Sequence, residues 1–338
     1  MCKQLCKIKL SLTCLTLAVG ALAAPAGKHK FADPSAKNAQ AVLWSDPADI
    51  QSRNLFYGPG GKQHQPVGTS FTFVDEDLNG SNPKYNVKAE DGVKWKIKLG
   101  AEARPETAAT RLVWAVGYFA DEDYFLPSVT VSGLPQHLHR GQQLIGANGA
   151  MQNVRLKRHV KSEGKLGYWS WRDDPFARTR EWNGLRVVMA LINNWDLKDD
   201  NNAIYEEGPE RMYLVKDLGA SFGTTGYDPR QYTSKGNLKG YEHSRFITKT
   251  TADYVDFAVP SRPAILVFFN PPHFVSRMKL RWIGRRVPRS DARWMGQLLA
   301  KLSPAQIRDA FLAAGYTPEE TEGFAKVVQS RITELTDL

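Results

Sequence analysis

Short segments with alternating apolar and polar residues dominate the front half of the chain. In one of them Val93, Trp95 and Ile97 alternate with lysines, so that one face of a strand would be buried and the other polar. The pairs Asn79-Gly80 and Asp91-Gly92 lie between segments and are typical of tight turns. The pattern predicts a small sheet with strands at residues 71–74, 85–87 and 93–98, and a further strand pair at 128–132 and 154–157.

Helical periodicity appears at Pro105 and takes over in the back half. After Pro105 and Glu106, apolar residues recur at helical spacing until Gly117. A second helix is predicted over residues 175–193, and helices are predicted from Ser290 to the end of the chain. Two of these last helices have N-cap signals, at Ser303-Pro304 and Thr317-Pro318. A β-rich front and a helical back indicate an α+β fold.

The first 23 residues have the features of a secretory signal. Three lysines precede an apolar run from Leu10 to Ala23, which ends in small residues. The run is short for a membrane span, although an uncleaved anchor is the alternative. We therefore predict an exported protein, periplasmic or secreted, which meets the membrane only through this segment. All three cysteines, Cys2, Cys6 and Cys14, lie in the segment, so the mature chain would contain no disulfide bond.

Composition changes this picture little. Pro, Gly, Ala and Lys are frequent in residues 24–65, which predicts an extended, loosely ordered lead-in. Removal of residues 1–23 lowers the net charge from +10 to +7, because three lysines and no acids are lost. Such a charge is typical of a solvated surface. Apart from the cluster KLRWIGRRVPR at 279–289 the cations are dispersed, so we do not predict nucleic-acid binding.

The stretch NNWDLKDDNN at 193–202 carries the candidate chemistry. It contains the pattern D-x-K-x-x-N between a predicted helix and a short strand, and a second strand follows and ends in Lys216-Asp217-Leu218-Gly219. Together these patterns resemble the catalytic loop and the metal-binding turn of the protein-kinase-like superfamily. A polar helix-to-strand turn, which Asp and Asn also favour, is the simpler alternative.

The resemblance implies a role for each residue of these motifs. Asp196 would be the catalytic base that accepts the proton of an attacking hydroxyl, and Lys198 would offset charge on the transferring phosphoryl group. Asn201 and Asp217 would hold Mg²⁺ or Mn²⁺, which bind oxygen ligands. The cofactor would be ATP with one of these metals. We expect Gly219 to give the turn its backbone freedom.

The resemblance also implies a phosphate-binding pair in the front half. WKIKLG resembles the lysine strand of the superfamily and places that lysine at Lys98, with Lys96 as the alternative. Glu106, in the first turn of the next helix, is its expected partner, with Glu102 as the alternative.

Over residues 70–335 the chain resembles a group of uncharacterised exported bacterial proteins with an atypical kinase-like fold. The fold implied is two-lobed, with a β-rich N-lobe at 66–160 and a helical C-lobe at 161–338. The chain departs from standard protein kinases, because Asn194-Trp195 stands where His-Arg is usual and the acidic DEDLNGSNPK stands where a glycine-rich loop is usual. Two functions remain: an exported atypical kinase that transfers phosphate from ATP to an acceptor the resemblance does not specify, and a secreted pseudokinase-like binding module without catalysis.

Overall fold

The structure is a computed structural model, which describes residues 39–80, 82–159, 164–194, 196–223, 235–258, 271, 275 and 278–338. The predicted signal segment at 1–23 lies outside the described residues. Within the described part of the chain, no helix combines the length and the apolar character needed to cross a bilayer.

A closed five-stranded barrel forms the front half. Its strands lie in the order β2-β3-β4-β6-β5, and every neighbouring pair is antiparallel except β2 and β5. Their bounds are β2 Ser70–Glu76, β3 Lys84–Ala89, β4 Lys94–Lys98, β5 Asp123–Ser132 and β6 Ala150–Arg158. The predicted alternation is confirmed, because Trp95 and Ile97 are buried inside the barrel while the lysines of β4 lie on its outer face.

Helix α1 (Ala103–Ala115) crosses from β4 to β5 and packs on the outside of the barrel. It begins two residues before the predicted start at Pro105. The helix ends before Gly117, where φ is +96° and an added Cβ would lie 2.3 Å from the Ser45 carbonyl oxygen. A left-handed residue that backbone approaches this closely favours glycine, which explains the predicted stop.

A second sheet lies in the other lobe and has the order β1-β9-β8-β7. Its strands are β1 Gln40–Val42, β7 Gly164–Gly167, β8 Asn202–Glu207 and β9 Glu210–Val215. Strands β8 and β9 form the hairpin that connects the two predicted motifs, and Asn202 lies opposite Val215 in its register. The loop that contains Asp196 and the turn that contains Asp217 therefore emerge at the same end of this hairpin.

The described part of the predicted loose lead-in is packed instead. Strand β1 pairs in parallel with β9, and Leu43, Ile50 and Leu55 are buried in the core of the second lobe. These three apolar residues hold the first part of the segment against the C-lobe, whereas Gly61 and His64 contact Tyr124 and Glu122 on the barrel side.

Helices complete the second lobe. Their bounds are α2 Arg180–Leu191, α3 Leu238–Glu242, α4 Arg289–Leu299, α5 Pro304–Leu312 and α6 Pro318–Thr336, and a small sheet of β10 Ile247–Thr250, β11 Tyr254–Phe257 and β12 Val287–Pro288 joins them. The predicted caps Ser303 and Thr317 both form capping boxes. Helix α2 begins five residues later than predicted, because Thr179 caps it by accepting from the backbone N–H of Trp182. The two-lobed α+β architecture predicted from the sequence is confirmed.

Candidate active site

A cleft of about 790 Å³ lies between the outer face of the barrel and the end of the β8–β9 hairpin. Ten lysine and arginine side chains and six carboxylates line it, an excess of four positive charges. A cavity with this excess attracts anionic ligands, and low-dielectric walls strengthen the attraction.

Lys98 lies at the inner end of the cleft and contacts three carboxylates. Its side chain is only 2% exposed, and Nζ lies 2.7 Å from Glu102, 2.8 Å from Glu106 and 2.6 Å from Asp217. Lys98 ends β4 and α1 begins five residues later, so Glu102, the N-cap residue, and Glu106, in the first turn, both lie beside the lysine. Burial alone would lower the pKa of Lys98, but Glu106, Asp217 and Glu102 outweigh it and raise that pKa above its ordinary value.

Glu106 is held between two cations. One carboxylate oxygen accepts from Lys98, and the other accepts from Nη2 of Arg155 at 2.6 Å. Arg155 lies opposite Lys98 in the β4–β6 register. The structure thus brings Lys98 and its expected partner Glu106 together, whereas Lys96 pairs with Asp77 at 2.7 Å.

Glu102, the alternative partner, connects three parts of the molecule. Besides Lys98 it accepts from Lys235 of the second lobe and from Nδ2 of Asn82 in the β2–β3 turn. An added Cβ at Gly219 would lie 2.5 Å from the Cβ of Glu102. We expected Gly219 to give the turn its backbone freedom; its φ is not positive, so a left-handed conformation is not what requires a glycine here. It is the close approach of Glu102 that requires the missing side chain.

Asp217 itself has the unusual backbone of this turn. Its φ is +53°, which few residues other than glycine adopt. The side chain is 40% exposed and reaches the cleft as well as Lys98. A left-handed aspartate at a cleft is the kind of local strain that often accompanies a functional site.

Side-chain and backbone contacts close the loop that precedes β8. Nδ2 of Asn201 donates to the Asp196 carbonyl at 2.7 Å, and the Asp196 N–H donates to Oδ1 of Asn194 at 2.9 Å. The Lys216 N–H donates to the Asn201 carbonyl at 2.6 Å and ties the loop to the end of β9. Asn194 is completely buried, so a neutral amide orients this loop.

Five of the six site residues predicted from the sequence line the cleft. Lys98, Glu106, Lys198, Asn201 and Asp217 line it. Asp196 is not among the described residues that line the cleft. It adjoins the cleft through Lys198, because Nζ of Lys198 lies 3.3 Å from Oδ1 of Asp196.

The carboxylates suit a divalent cation only in part. Ligand atoms of Glu102, Glu106 and Asp217 lie within 4.8 Å of one another, but Lys98 Nζ contacts all three. The predicted pair Asn201 and Asp217 also lines the cleft. Asn201 uses its amide nitrogen to donate to the Asp196 carbonyl, so its Oδ1 takes no part in that bond. A carboxylate and an amide oxygen are donors that Mg²⁺ and Mn²⁺ accept.

The acidic turn after β2 repels phosphate less than its sequence suggests. Asp77 accepts from Lys96 and from the backbone N–H of Asn79. Burial alone would raise the pKa of Asp77, but these bonds outweigh it and lower that pKa to about 2. Glu76 accepts from the backbone N–H groups of His139 and Arg140, so both carboxylates are already bound within the lobe.

Sequence reasoning missed a second cluster, formed by Lys157, Lys216, Asp121 and Tyr205, which we call the lysine wall. Lys157 Nζ lies 2.5 Å from Asp121, and Lys216 donates to the Tyr205 hydroxyl. Burial lowers the pKa of Lys216 well below its ordinary value, a change that Asp121 opposes and Lys157 increases. Burial would lower the pKa of Lys157 too, but Asp121 outweighs it and raises that pKa. All four residues line the cleft.

Comparison with known proteins adds a loose structural similarity. No protein-family model and no curated protein match the chain. The solved structure of a Helicobacter pylori proinflammatory kinase, CtkA, is similar over 79% of this chain and 95% of its own, with a TM-score of 0.44 and 10% identity. The Golgi casein kinase is similar over 87% of this chain and 78% of its own, with a TM-score of 0.33 and 10% identity. Since both TM-scores are below 0.5, neither similarity assigns a role to a residue of this chain.

Proposed function

We propose that this protein is an exported atypical kinase-like phosphotransferase, which moves a phosphoryl group from a nucleoside triphosphate to an acceptor hydroxyl. ATP is the donor that the sequence resemblance implies. One observation carries the proposal: Lys98, Glu106 and Asp217, from a strand, a helix and a turn far apart in sequence, meet through contacts of 2.6 to 2.8 Å beside one cleft.

In this proposal the inner end of the cleft holds the phosphates. Lys98 is fixed by its carboxylates, and Arg155 is fixed by Glu106, so both cations are oriented in advance. Asp217 and Asn201 would hold Mg²⁺ or Mn²⁺, which would supply positive charge opposite the phosphate oxygens. Asp217 is the carboxylate available for this, because its side chain is 40% exposed whereas those of Glu102 and Glu106 are 7% and 6% exposed.

The chemical step belongs to the loop at 196–201. The acceptor oxygen forms a bond to the γ-phosphorus, and the bond from that phosphorus to the β,γ-bridging oxygen breaks. Asp196 takes the proton of the acceptor hydroxyl, and Lys198 offsets the charge that develops on the transferring group. The ion pair of 3.3 Å between Lys198 and Asp196 places the two groups together. The products are a phosphate ester and a nucleoside diphosphate.

One observation favours the second candidate, a secreted binding module that keeps the kinase shell without transfer. Asp196 adjoins the cleft but does not line it in the described part of the chain, and Asn194 rather than a charged pair orients its loop. A module of this kind would bind the nucleotide and leave Asp196 without a function.

Thermal denaturation with Mg²⁺-ATP or Mn²⁺-ATP, followed by a phosphate-transfer assay, separates the candidates. A ligand at 100 times its Kd stabilises the native state by about 2.7 kcal/mol, a clear shift in Tm. The kinase predicts a shift, and transfer that Asp196→Asn abolishes and the exposed control Asp46→Asn keeps. A shift in both variants without transfer supports the binding module. No shift with either metal contradicts nucleotide binding altogether.

Export is a separate part of the proposal. The described chain begins at residue 39, and the predicted signal occupies residues 1–23. N-terminal sequencing of the protein recovered outside the cytoplasm should find a chain that starts at Ala24. A chain that retains Met1 and stays with the membrane would support the uncleaved anchor instead.

A further inference from the structure

Lys84 lies beside Lys98 on the outer face of the barrel. The two residues are direct partners in the antiparallel register of β3 and β4. Tyr85 and Val87 of β3 are buried inside the barrel, so Lys84 points to the outer face, where it lines the cleft. Directly opposite residues of such a pair have Cβ atoms roughly 5 Å apart. A ligand that contacts Lys98 therefore lies within reach of the Lys84 ammonium.

The Lys84 ammonium lies against the turn between β2 and β3. A Cβ added at Gly80 would lie 3.5 Å from Nζ of Lys84, and Gly80 lines the cleft as well. In this turn the acidic sequence DEDLNGSNPK replaces the usual glycine-rich loop, which covers the nucleotide phosphates in protein kinases. Arg140 donates to the carbonyls of Leu78 and Gly80 and so holds the turn in place above the lysine.

The carboxylates that attract Lys84 are bound to other lysines. Asp77 and Asp217 both favour its charged form. However, Asp77 contacts Lys96 at 2.7 Å, and Asp217 contacts Lys98 at 2.6 Å. Within the described ranges the Lys84 ammonium makes no hydrogen bond and no ion pair of its own. It is therefore a donor at the inner end of the cleft whose protein partners are already taken.

The charges around Lys98 leave Lys84 as the additional cation. The three carboxylates there already contact three cations, which are Lys98, Arg155 and Lys235. Burial lowers the pKa of Lys84, and the neighbouring Lys98 lowers it further, although Asp77 opposes the change. An anion that contacts both Lys84 and Lys98 would offset their mutual repulsion.

We propose that Lys84 is a second phosphate-binding residue, which contacts the oligophosphate of the donor together with Lys98 and takes the place that the glycine-rich loop has in standard protein kinases. The inference rests on the proposed function, because it takes Lys98 to mark the phosphate end of the cleft. An ammonium only donates hydrogen bonds, and phosphate oxygens accept them strongly, so an oligophosphate is the ligand class that suits this position.

The simpler interpretation is a lysine that is merely solvated. Lys88 provides the comparison, because it lies on the same face of the same strand, is exposed, and is not among the described residues that line the cleft. Lys84 is instead half-buried, against the turn and beside a like charge. A charge in such a place lowers the stability of the free protein, a cost that is typical of residues needed for function. Stability and phosphate affinity together therefore distinguish the two interpretations.

Titration calorimetry of the full mature chain measures the affinity. The wild type, Lys84→Met and Lys88→Met are titrated with ATP and with inorganic tripolyphosphate, each with Mg²⁺ and then with Mn²⁺. We expect Lys84→Met to weaken both ligands by one common factor, roughly 10- to 100-fold, the range for one hydrogen bond to a charged group. Lys88→Met should leave both affinities nearly unchanged. Equal effects in the two variants overturn the inference, and so does a loss confined to ATP, since that would place Lys84 against the nucleoside.

Two further measurements separate binding from structure. Without ligand, Lys84→Met should have a Tm equal to or above that of the wild type, because a like charge beside Lys98 is removed. A Tm well below that of Lys88→Met, or failure to fold, would show that Lys84 stabilises the fold and would contradict the proposal. Lys84→Arg keeps the charge and should retain most of the affinity, whereas a loss as large as that of Lys84→Met would contradict a role for the charge.

The wild-type titrations distinguish failure of this inference from failure of the proposed function. If the wild type binds neither ATP nor tripolyphosphate with either metal, the proposed function fails, and this inference fails with it. If the wild type binds both ligands and Lys84→Met binds them equally well, only this inference fails.

Discussion

Replacing Lys98 with methionine removes the cation at the centre of the candidate site. Methionine keeps the volume of the side chain, so the change isolates the charge. Three carboxylates, those of Glu102, Glu106 and Asp217, lose a partner at 2.6 to 2.8 Å. Removing one member of a buried ion pair costs about 3–5 kcal/mol, because the remaining charge stays buried without compensation.

Two other cations reduce this cost. Arg155 still contacts Glu106, and Lys235 still contacts Glu102, so we expect the lower end of the range, about 3 kcal/mol. For a chain of this size that corresponds to a fall in Tm of roughly 6–10 °C. The three carboxylate ligand atoms, within 4.8 Å of one another, would then form a cation site. Millimolar Mn²⁺ should restore part of the lost Tm in the variant and change that of the wild type less.

Thermal denaturation at pH 7, with and without Mn²⁺, measures both effects. Lys96→Met is the matched control, because Lys96 is on the same strand, is 38% exposed and contacts one carboxylate. A partly exposed pair contributes about 1 kcal/mol or less, so this control should lose little. If Lys98→Met is as stable as Lys96→Met, or gains nothing from Mn²⁺, the three-carboxylate cluster does not exist as described.

Three further changes have defined outcomes. Asp77→Asn should remove about 1 kcal/mol of stability at pH 7 and make the free energy of unfolding depend less on pH in the acid range. The pKa of Asp77 is lowered to about 2 in the folded state, so its contribution is present above pH 4 and is lost as the pH falls toward 2. Urea unfolding at several pH values measures this dependence. Gly219→Ala should cost about 1–3 kcal/mol, because the new Cβ would lie 2.5 Å from the Cβ of Glu102, and normal stability would show that the turn relaxes freely. Ser303→Ala should cost about 1 kcal/mol by loss of a capping box, as thermal denaturation would show, and an unchanged Tm would contradict that cap.

The ion pair of Lys98 and Glu106 could be predicted because its geometry is local. Lys98 ends a strand and Glu106 lies in the first turn of the next helix, so a short connection brings them together. Asp217 was predictable from its motif, and the hairpin register explains why it adjoins the loop of Asn201. The contact between Glu102 and Lys235 spans 133 residues, and no local pattern in the sequence indicates it.

An alternating pattern identifies the side chains that point away from the core of a sheet, but it does not show which other parts of the chain those side chains contact. Lys94, Lys96 and Lys157 all alternate with apolar residues, and such a pattern is typical of a face in water. In the folded chain the second lobe lies over part of that face, so Lys157 is largely enclosed while Lys94 stays exposed. The lysine wall was missed for this reason, and Lys216, which directly follows β9 in the other lobe, gave no signal of its own.

Metal-dependent nucleotide binding tests the central claim most directly. The wild type and Asp217→Asn are titrated with a nucleoside triphosphate by calorimetry, in the presence of Mg²⁺, of Mn²⁺ and of EDTA. The affinities show whether one cleft binds phosphate and metal together. We predict binding to the wild type that requires the metal and that the variant loses, since Asp217 contacts Lys98 at 2.6 Å and is one of the two proposed metal ligands. Binding that is absent, independent of metal, or unchanged in Asp217→Asn would contradict the account.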